Sequence, residues 1–268
     1  MSPLPTDPRL RLRGRPPAFV PDLTIIVPAY NERSRLPATL SELAGYFGEP
    51  IEILVVDDGS DDGTWEIAGR ALAATPHAYG VLRHDARHGK GSAVRLGMLR
   101  ARGRRWLVVD ADGATPIAEW EKLRERLDAG ADIAVGSRAV PGSRIRTRQP
   151  WYRRPLGPCF NLLVRAVLFR GIRDTQCGFK AYRPEIAREL CRRQRIDSFA
   201  FDPETLFLAL RSGLRVEEVG IVWDDRSDSK VHVLGDSLRM FRDLFRVRLY
   251  AAAGLYDREA PLAPATEG

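Results

Sequence analysis

Four short apolar runs limit what this chain can fold into. Leu23-Thr24-Ile25-Ile26-Val27, Ile51-Glu52-Ile53-Leu54-Val55-Val56, Trp106-Leu107-Val108-Val109 and Asp132-Ile133-Ala134-Val135-Gly136 are short for helices and too continuous for strands with one wet face. Such runs read as strands buried on both sides, the habit of parallel sheets. Between them, residues 35–47, 64–74, 92–102 and 117–127 have helical spacing, and a further short strand is expected near 80–83. Alternating strands and helices predict an α/β fold with a doubly wound, mostly parallel sheet.

Three of these runs end in polar turns. The first is stopped by Pro28 and continues as Pro28-Ala29-Tyr30-Asn31-Glu32. The second ends in Asp57-Asp58-Gly59-Ser60, then Asp62-Gly63-Thr64. The third ends in Asp110-Ala111-Asp112-Gly113. In a parallel sheet all three turns lie at carboxyl ends of strands, where open α/β sheets bind ligands. One such turn is ordinary loop chemistry; three on one rim favour a site. Asp110 and Asp112, two apart on an extended segment, project to the same side. Two hard carboxylates side by side suit Mg2+ or Mn2+ shared with a diphosphate. Glu32 and Asp57 can accept hydrogen bonds from a uracil N–H or a ribose hydroxyl, and Tyr30 can pack against the ring. His88-Gly89-Lys90-Gly91-Ser92 precedes a helix, where glycine permits close backbone approach and the helix start favours anions. Its spacing is not that of the phosphate loop of NTPases, so NTP hydrolysis is not expected.

After Ser137 the pattern loosens. Residues 138–155 carry Arg138, Arg144, Arg146, Arg148, Arg153 and Arg154 among prolines. Helices are expected at 156–169, 185–191, 202–211 and 234–249, and strands at 178–182 and 216–223. Residues 1–22 read as a disordered basic arm, 23–233 as the catalytic domain, 234–256 as an amphipathic C-terminal helix region and 257–268 as a loose tail. The formal net charge of +7 favours anionic partners. Nucleic acid is not expected among them, because three acidic turns on one rim would repel its phosphates. No run approaches the ~18 apolar residues of a membrane span. Cys159, Cys177 and Cys191 form no CxxC pair, and with no signal-peptide core in 1–20 a reducing, cytoplasmic setting is expected.

Residues 25–32, 57–64, 89–97 and 110–115 together resemble inverting family 2 glycosyltransferases of the GT-A fold. Asp110-Ala111-Asp112-Gly113-Ala114-Thr115, Gly136-Ser137-Arg138, Asp174-Thr175-Gln176-Cys177-Gly178-Phe179-Lys180, Phe199-Ala200-Phe201-Asp202 and Ser229-Lys230 are similar to dolichyl-phosphate β-glucosyltransferases and their bacterial polyprenyl-phosphate relatives. The likeness spans residues 23–248. It implies a GT-A fold with a C-terminal, acceptor-side helical extension. It implies nucleotide binding by Pro28, Ala29, Tyr30, Glu32, Asp57, Asp58, Gly89, Lys90, Asp110 and Ala111, and metal binding by Asp110 and Asp112. Asp112, Arg138, Asp202 and Lys230 would carry catalysis. Arg138 would hold an acceptor phosphate; Lys230 would do the same or clamp the donor diphosphate. Asp202 and Glu204 fall where many family members place a catalytic-base motif. A lipid phosphate is already anionic near pH 7, so with that acceptor Asp202 would instead orient Arg138 or Lys230. The implied reaction moves a sugar, with glucose first in line, from a UDP-sugar to a polyprenyl phosphate at the cytoplasmic membrane face. A small soluble acceptor is the alternative. Segments 156–169 and 234–249 are read either as helices lying on a membrane surface or as amphipathic helices packed on the sheet.

Overall fold

The computed structural model describes residues 11–147, 156–224 and 233–257. It divides into two compact units, Met1–Gly113 and Ala114–Gly268.

The first unit holds β1 (Arg11–Arg15), β2 (Leu23–Ala29), α1 (Leu36–Tyr46), β3 (Glu52–Asp57), α2 (Thr64–Ala73), β4 (Ala78–Arg83), α3 (Lys90–Arg100) and β5 (Arg105–Val109). The strands lie in the order β1-β4-β3-β2-β5. All neighbours are parallel except β1, which runs antiparallel along β4. Every residue of β2 and β3 is buried, as the continuous apolar runs require. Helix α1 buries Leu36, Leu40 and Leu43 at helical spacing, with a proline in its first turn where no backbone N–H is needed. Helix α3 lies on β2 and β3, and Gly97 is its point of closest approach. A Cβ there would stand 2.4 Å from Ile26 Cγ2 and 3.1 Å from Val56 Cγ2.

Two expectations for this unit need correcting. Residues 11–15 belong to a strand and not to a disordered arm; residues 1–10 lie outside the described residues. Strand β1 has no apolar face for periodicity to reveal, since all five residues are exposed. Backbone pairing and guanidinium contacts hold it. Arg13 stacks 4.7 Å over the Trp65 ring and Arg15 5.6 Å over Tyr79, while Arg15 Nη2 donates to Thr75 O at 2.5 Å and His77 O at 2.6 Å. Pro28 also fails to stop β2, which runs to Ala29. The last rung with β5 is Ile26↔Val108, so Pro28 lies beyond that ladder, where a missing N–H is tolerated.

The second unit holds a 3₁₀ turn at Ile117–Glu119, then α4 (Trp120–Asp128), β6 (Ile133–Ser137), β7 (Arg144–Thr147), α5 (Leu156–Val167), β8 (Phe179–Tyr182), α6 (Pro184–Arg193), α7 (Phe201–Arg211), β9 (Val216–Gly220), β10 (Val222–Asp224) and α8 (Val233–Ala252). Strand β6 pairs antiparallel with β8 and parallel with β9. The expected strand 216–223 is two strands. Ile221 separates them and donates its N–H to Ser137 O at 3.2 Å, and β10 turns away to pair with β7. That pairing makes a strand of Arg144–Thr147, inside the segment that reads as loose in sequence. Arg148, Arg153, Arg154 and residues 258–268 lie outside the described residues.

The contact under Gly97 gives a test. Ile26 is β-branched and fully buried, so it cannot swing aside. Gly97→Ala should lower unfolding stability by about 1–3 kcal/mol through overpacking. Gly45 in α1 has open space around it, so Gly45→Ala should be neutral or stabilising by up to about 1 kcal/mol. Urea unfolding of the two variants against the parent checks both.

Candidate active site

In the first unit the ladder sets the carboxyl ends of β2, β3 and β5 level. Ala29 pairs with Asp57, and Asp58 donates its N–H back to Ala29 O at 2.9 Å. The two turns that follow are laced together. Asn31 N donates to Ser60 Oγ (2.9 Å), Glu32 N to Thr64 Oγ1 (2.8 Å), and Asp61 N to Asn31 Oδ1 (3.1 Å). Asn31 takes a left-handed conformation, φ 55°, which asparagine tolerates well. Tyr30 is half-buried under the Arg87 guanidinium, 4.4 Å from its ring. The Glu32 carboxylate forms a bidentate ion pair with Arg35.

Asp57 and Asp58, adjacent in sequence, have different surroundings. Asp58 is buried and fully used: Oδ1 accepts from His84 Nδ1 (2.8 Å) and His88 N (2.9 Å), and Oδ2 from Gly89 N (2.7 Å). It thereby fixes the loop that delivers Lys90. Asp57 Oδ1 accepts from Ser60 N at 3.1 Å. Its Oδ2 is buried without a hydrogen-bond partner, with Arg83 Nε 3.4 Å away. Burial pushes the Asp57 carboxyl up from its ordinary value, against the pull of Ser60 and Arg83.

The turn after β5 carries Asp110 and Asp112, both half-buried. Gly113 N donates to Asp110 O at 3.2 Å. Gly113 has φ 63°, and a Cβ on it would stand 2.9 Å from Thr39 Oγ1; that hydroxyl donates to Ala111 O at 2.9 Å. Lys90 Nζ, at the start of α3, lies 2.6 Å from Asp110 Oδ1. Among the described residues no group of three or more His, Cys, Asp or Glu makes a complete metal cage. Two partly exposed carboxylates fit a divalent ion whose other ligands come from a substrate and water.

In the second unit Arg138 follows directly on β6. Its Nε donates to Asp174 Oδ2 at 2.7 Å, its Nη2 to Oδ1 at 2.9 Å and its own backbone N–H to Oδ2 at 2.9 Å. The guanidinium also lies 5.2 Å from the Trp223 ring. Glu218 receives the N–H groups of Arg173 (2.7 Å) and Asp174 (2.9 Å), which fixes the loop carrying Asp174. Burial alone would raise the Asp174 carboxyl; the charge and hydrogen bonds of Arg138, with Lys180 nearby, outweigh it and hold the carboxyl below its ordinary value.

Asp202 and Glu204 stand in the first turn of α7. Asp202 Oδ1 is 2.6 Å from Lys180 Nζ, which also donates to Cys177 O at 2.5 Å. Both partners are almost wholly buried. Of the two cations that Asp202 is expected from the sequence to orient, Arg138 or Lys230, the first has its guanidinium on Asp174, while Asp202 pairs with Lys180. Lys230 lies outside the described residues. Glu204 accepts from Arg195 N (3.0 Å), Ile196 N (3.0 Å) and Tyr256 Oη (2.7 Å), a structural role.

Asp174 and Lys180 fall within the motif at 174–180, and no role for either is evident from the sequence. A signal that both are paired is present. Asp174 and Lys180 are charges in a segment that otherwise packs inward, and buried charges are paired. Thr39 and Arg83 lie far in sequence from the turns they support and carried no signal.

The description Glycosyl transferase family 2 matches residues 24–191. Dolichyl-phosphate beta-glucosyltransferases are among the similar curated proteins. That of Drosophila melanogaster is 40% identical over 242 residues, covering 84% of this chain and 74% of its own. One from Trichomonas vaginalis is 38% identical over 247 residues, covering 87% and 72%. The human enzyme is 33% identical over 256 residues, covering 88% and 78%. Among solved structures, glucosyl-3-phosphoglycerate synthase from Mycobacterium tuberculosis in complex with phosphoglyceric acid superposes with a TM-score of 0.64 at 17% identity, covering 87% and 80%. A mannosyltransferase from Pyrobaculum calidifontis in complex with GDP-Man and Mn2+ gives 0.58 at 22%, covering 93% and 68%. The fold is that of the GT-A glycosyltransferases. A family match over most of the chain, with relatives this close along it, means that the chain belongs to glycosyl transferase family 2 and is a glycosyltransferase.

Proposed function

We propose that this enzyme transfers glucose, with inversion, from UDP-glucose to a polyprenyl phosphate at the cytoplasmic face of a membrane, assisted by Mg2+ or Mn2+. The observation that carries the acceptor is the pairing of partly exposed Arg138 with buried Asp174. It presents a fixed guanidinium, the group best shaped for phosphate oxygens. The choice of glucose and of a lipid phosphate is supported by the relatives at 31–40% identity named as dolichyl-phosphate beta-glucosyltransferases.

Each residue then has a task. Asp57 Oδ2, buried beside Arg83 and without a hydrogen bond, accepts from the uracil N–H. Tyr30 packs against the base, and Glu32 accepts from the ribose; Pro28 and Ala29 shape the floor beneath. Asp58 and Gly89 hold the loop that aims Lys90, and Lys90 steadies Asp110. Asp110 and Asp112, with Ala111 between them, hold the metal, which when bound neutralises charge on the departing diphosphate. Arg138, with Lys230, receives the acceptor phosphate. An acceptor oxygen attacks the anomeric carbon as the bond to UDP breaks. That oxygen is anionic before it attacks, so no base need remove a proton, and positioning with partial neutralisation does the rest. The buried pair Lys180–Asp202 steadies the start of α7.

Three outcomes test this reading. Asp112→Ala should abolish transfer while keeping the melting temperature, and EDTA should reproduce the loss in the parent; full turnover by the variant in metal-free buffer would remove the metal role.

UDP should bind more tightly than GDP in calorimetry, and Asp57→Ala should weaken UDP by roughly 1.5–3 kcal/mol. The pH dependence has a definite sign. The Asp57 carboxyl is raised in the fold, so its contribution to stability of the free protein is present below the unfolded value and is lost as pH rises through the folded one. UDP needs the ionised form, so its affinity should climb over that same interval, starting from about pH 4. A flat UDP affinity across it would count against Asp57.

Arg138→Ala should raise the acceptor KM or lower turnover with UDP affinity nearly unchanged, and Asp174→Asn should do the same by loosening the fork. A short polyprenyl phosphate should be glucosylated and the matching free alcohol not. Equal rates on both would turn the reading toward a soluble or hydroxyl acceptor.

A further inference from the structure

Helix α8 buries Met240, Leu244 and Val247 against the second unit. Its opposite side is apolar as well. Phe241, Phe245 and Leu249 are 43%, 45% and 66% exposed. They recur every fourth residue, so they form one stripe along the helix, and the two rings touch with centroids 5.0 Å apart. Ala252 continues the stripe, which borders an open groove of about 780 Å³ lined also by Phe207, Ala251, Arg248 and Arg211, the last ion-paired with Asp257 at 2.9 Å. At 100° per residue Arg248 lies on one side of the stripe and Arg239, Arg242 and Arg246 on the other. The acidic residue among them, Asp243, is buried and spent on Ser198 Oγ (2.7 Å) and Arg246 Nη1 (3.1 Å).

We propose that this face of α8 seats the protein on an anionic phospholipid bilayer, with Phe241, Phe245 and Leu249 in the headgroup–acyl boundary and the arginines on lipid phosphates. The proposal deepens the membrane-face reading above by naming the surface and the lipid charge. Two features select this occupant. An apolar stripe bordered on both sides by arginines matches a surface whose charge lies in a plane just above its oil. A second copy of the chain is disfavoured, since two-fold pairing would bring arginines against arginines with no exposed acid among residues 239–252 of the helix to answer them. Nucleic acid would use the arginines and leave the Phe and Leu side chains wet. Among the described residues no helix is long and apolar enough to cross a membrane, so a face of this kind supplies attachment from the side.

The test is flotation of the full chain with vesicles of phosphatidylcholine alone or mixed with phosphatidylglycerol, with no donor and no polyprenyl phosphate present. Binding should appear with the anionic vesicles and be weak on phosphatidylcholine. Phe241→Ala, Phe245→Ala and Leu249→Ala combined should reduce it by at least roughly tenfold, and Arg242→Gln with Arg248→Gln by about fivefold for each charge removed. These side chains are exposed, so melting temperatures should hold, and transfer to a short, water-soluble polyprenyl phosphate should be unchanged. Equal binding to both vesicle types, undiminished binding by the triple variant, or a dimer that the triple variant dissolves would overturn the proposal; so would nucleic acid displacing the protein from vesicles at equal charge concentration. Because the vesicles lack acceptor, loss of glucosyl transfer alone leaves this result untouched, and loss of flotation alone leaves the transfer chemistry untouched.

Discussion

The register of the parallel ladder around β2 is the constraint on which the first unit depends. Its rungs bring Ala29 level with Asp57 and Ile26 level with Val108. Three separate turns must then leave the sheet at one height. A slip of one residue would turn every side chain of a strand to the other face. In β2 and β3, buried on both faces, the polar rung Thr24↔Glu52 marks the register, with Thr24 Oγ1 donating to Glu52 Oε2 at 2.7 Å. The packing of α3 adds to this, since Gly97 lies directly against Ile26 and Val56. A missing methyl group on one helix thus helps to align the acidic turns.

Around the polar residues, paired charges set orientation more than stability. Removing two charges from water is expensive, and a buried pair often contributes little net stability even with good geometry. Lys180 and Asp202 are both deeply buried, so that pair fixes the start of α7 against β8 and directs no charge outward. Arg138 and Asp174 differ. The carboxylate is buried while the guanidinium side chain keeps 27% of its exposure. The cost is borne on the inside, and an oriented cation remains at the surface. Asp58 works in the same manner with backbone donors, pinning His88 and Gly89 so that Lys90 enters α3 in a set direction.

The sequence made the central elements legible because their burial is nearly complete. The apolar runs gave β2, β3, β5 and β6; Asp110 and Asp112, read as part of an extended segment, lie instead in the turn that follows Val109. What escaped was structure held by something other than an apolar face. Strand β1 is fixed by backbone pairing and by arginines stacked on Trp65 and Tyr79. Strand β7, rich in arginine, exists because β10 offers it an edge. Neither arrangement leaves a period in hydrophobicity. The partners of the charged residues escaped for a related reason. Arg138 and Asp174 are 36 positions apart, and Lys180 and Asp202 are 22 apart. Sequence marks a charge that must be paired without saying with what.

The acids at the start of α7 bear on the choice of acceptor. A hydroxyl nucleophile needs a base that is ionised, within reach and able to take a proton. Glu204 is fully buried and already accepts from two backbone N–H groups and the Tyr256 hydroxyl. Protonating it would sacrifice that arrangement. Asp202 is held by the Lys180 ammonium, with both side chains almost wholly buried. Both acids are therefore better suited to holding structure than to moving a proton. A phosphate acceptor makes no such demand: its oxygen is already anionic, and what it needs is a fixed cation. Arg138 on Asp174 offers one. On the proposed reading, the enzyme's electrostatics are arranged around charge neutralisation at both substrates, with carboxylates and a metal at the donor and a braced guanidinium at the acceptor.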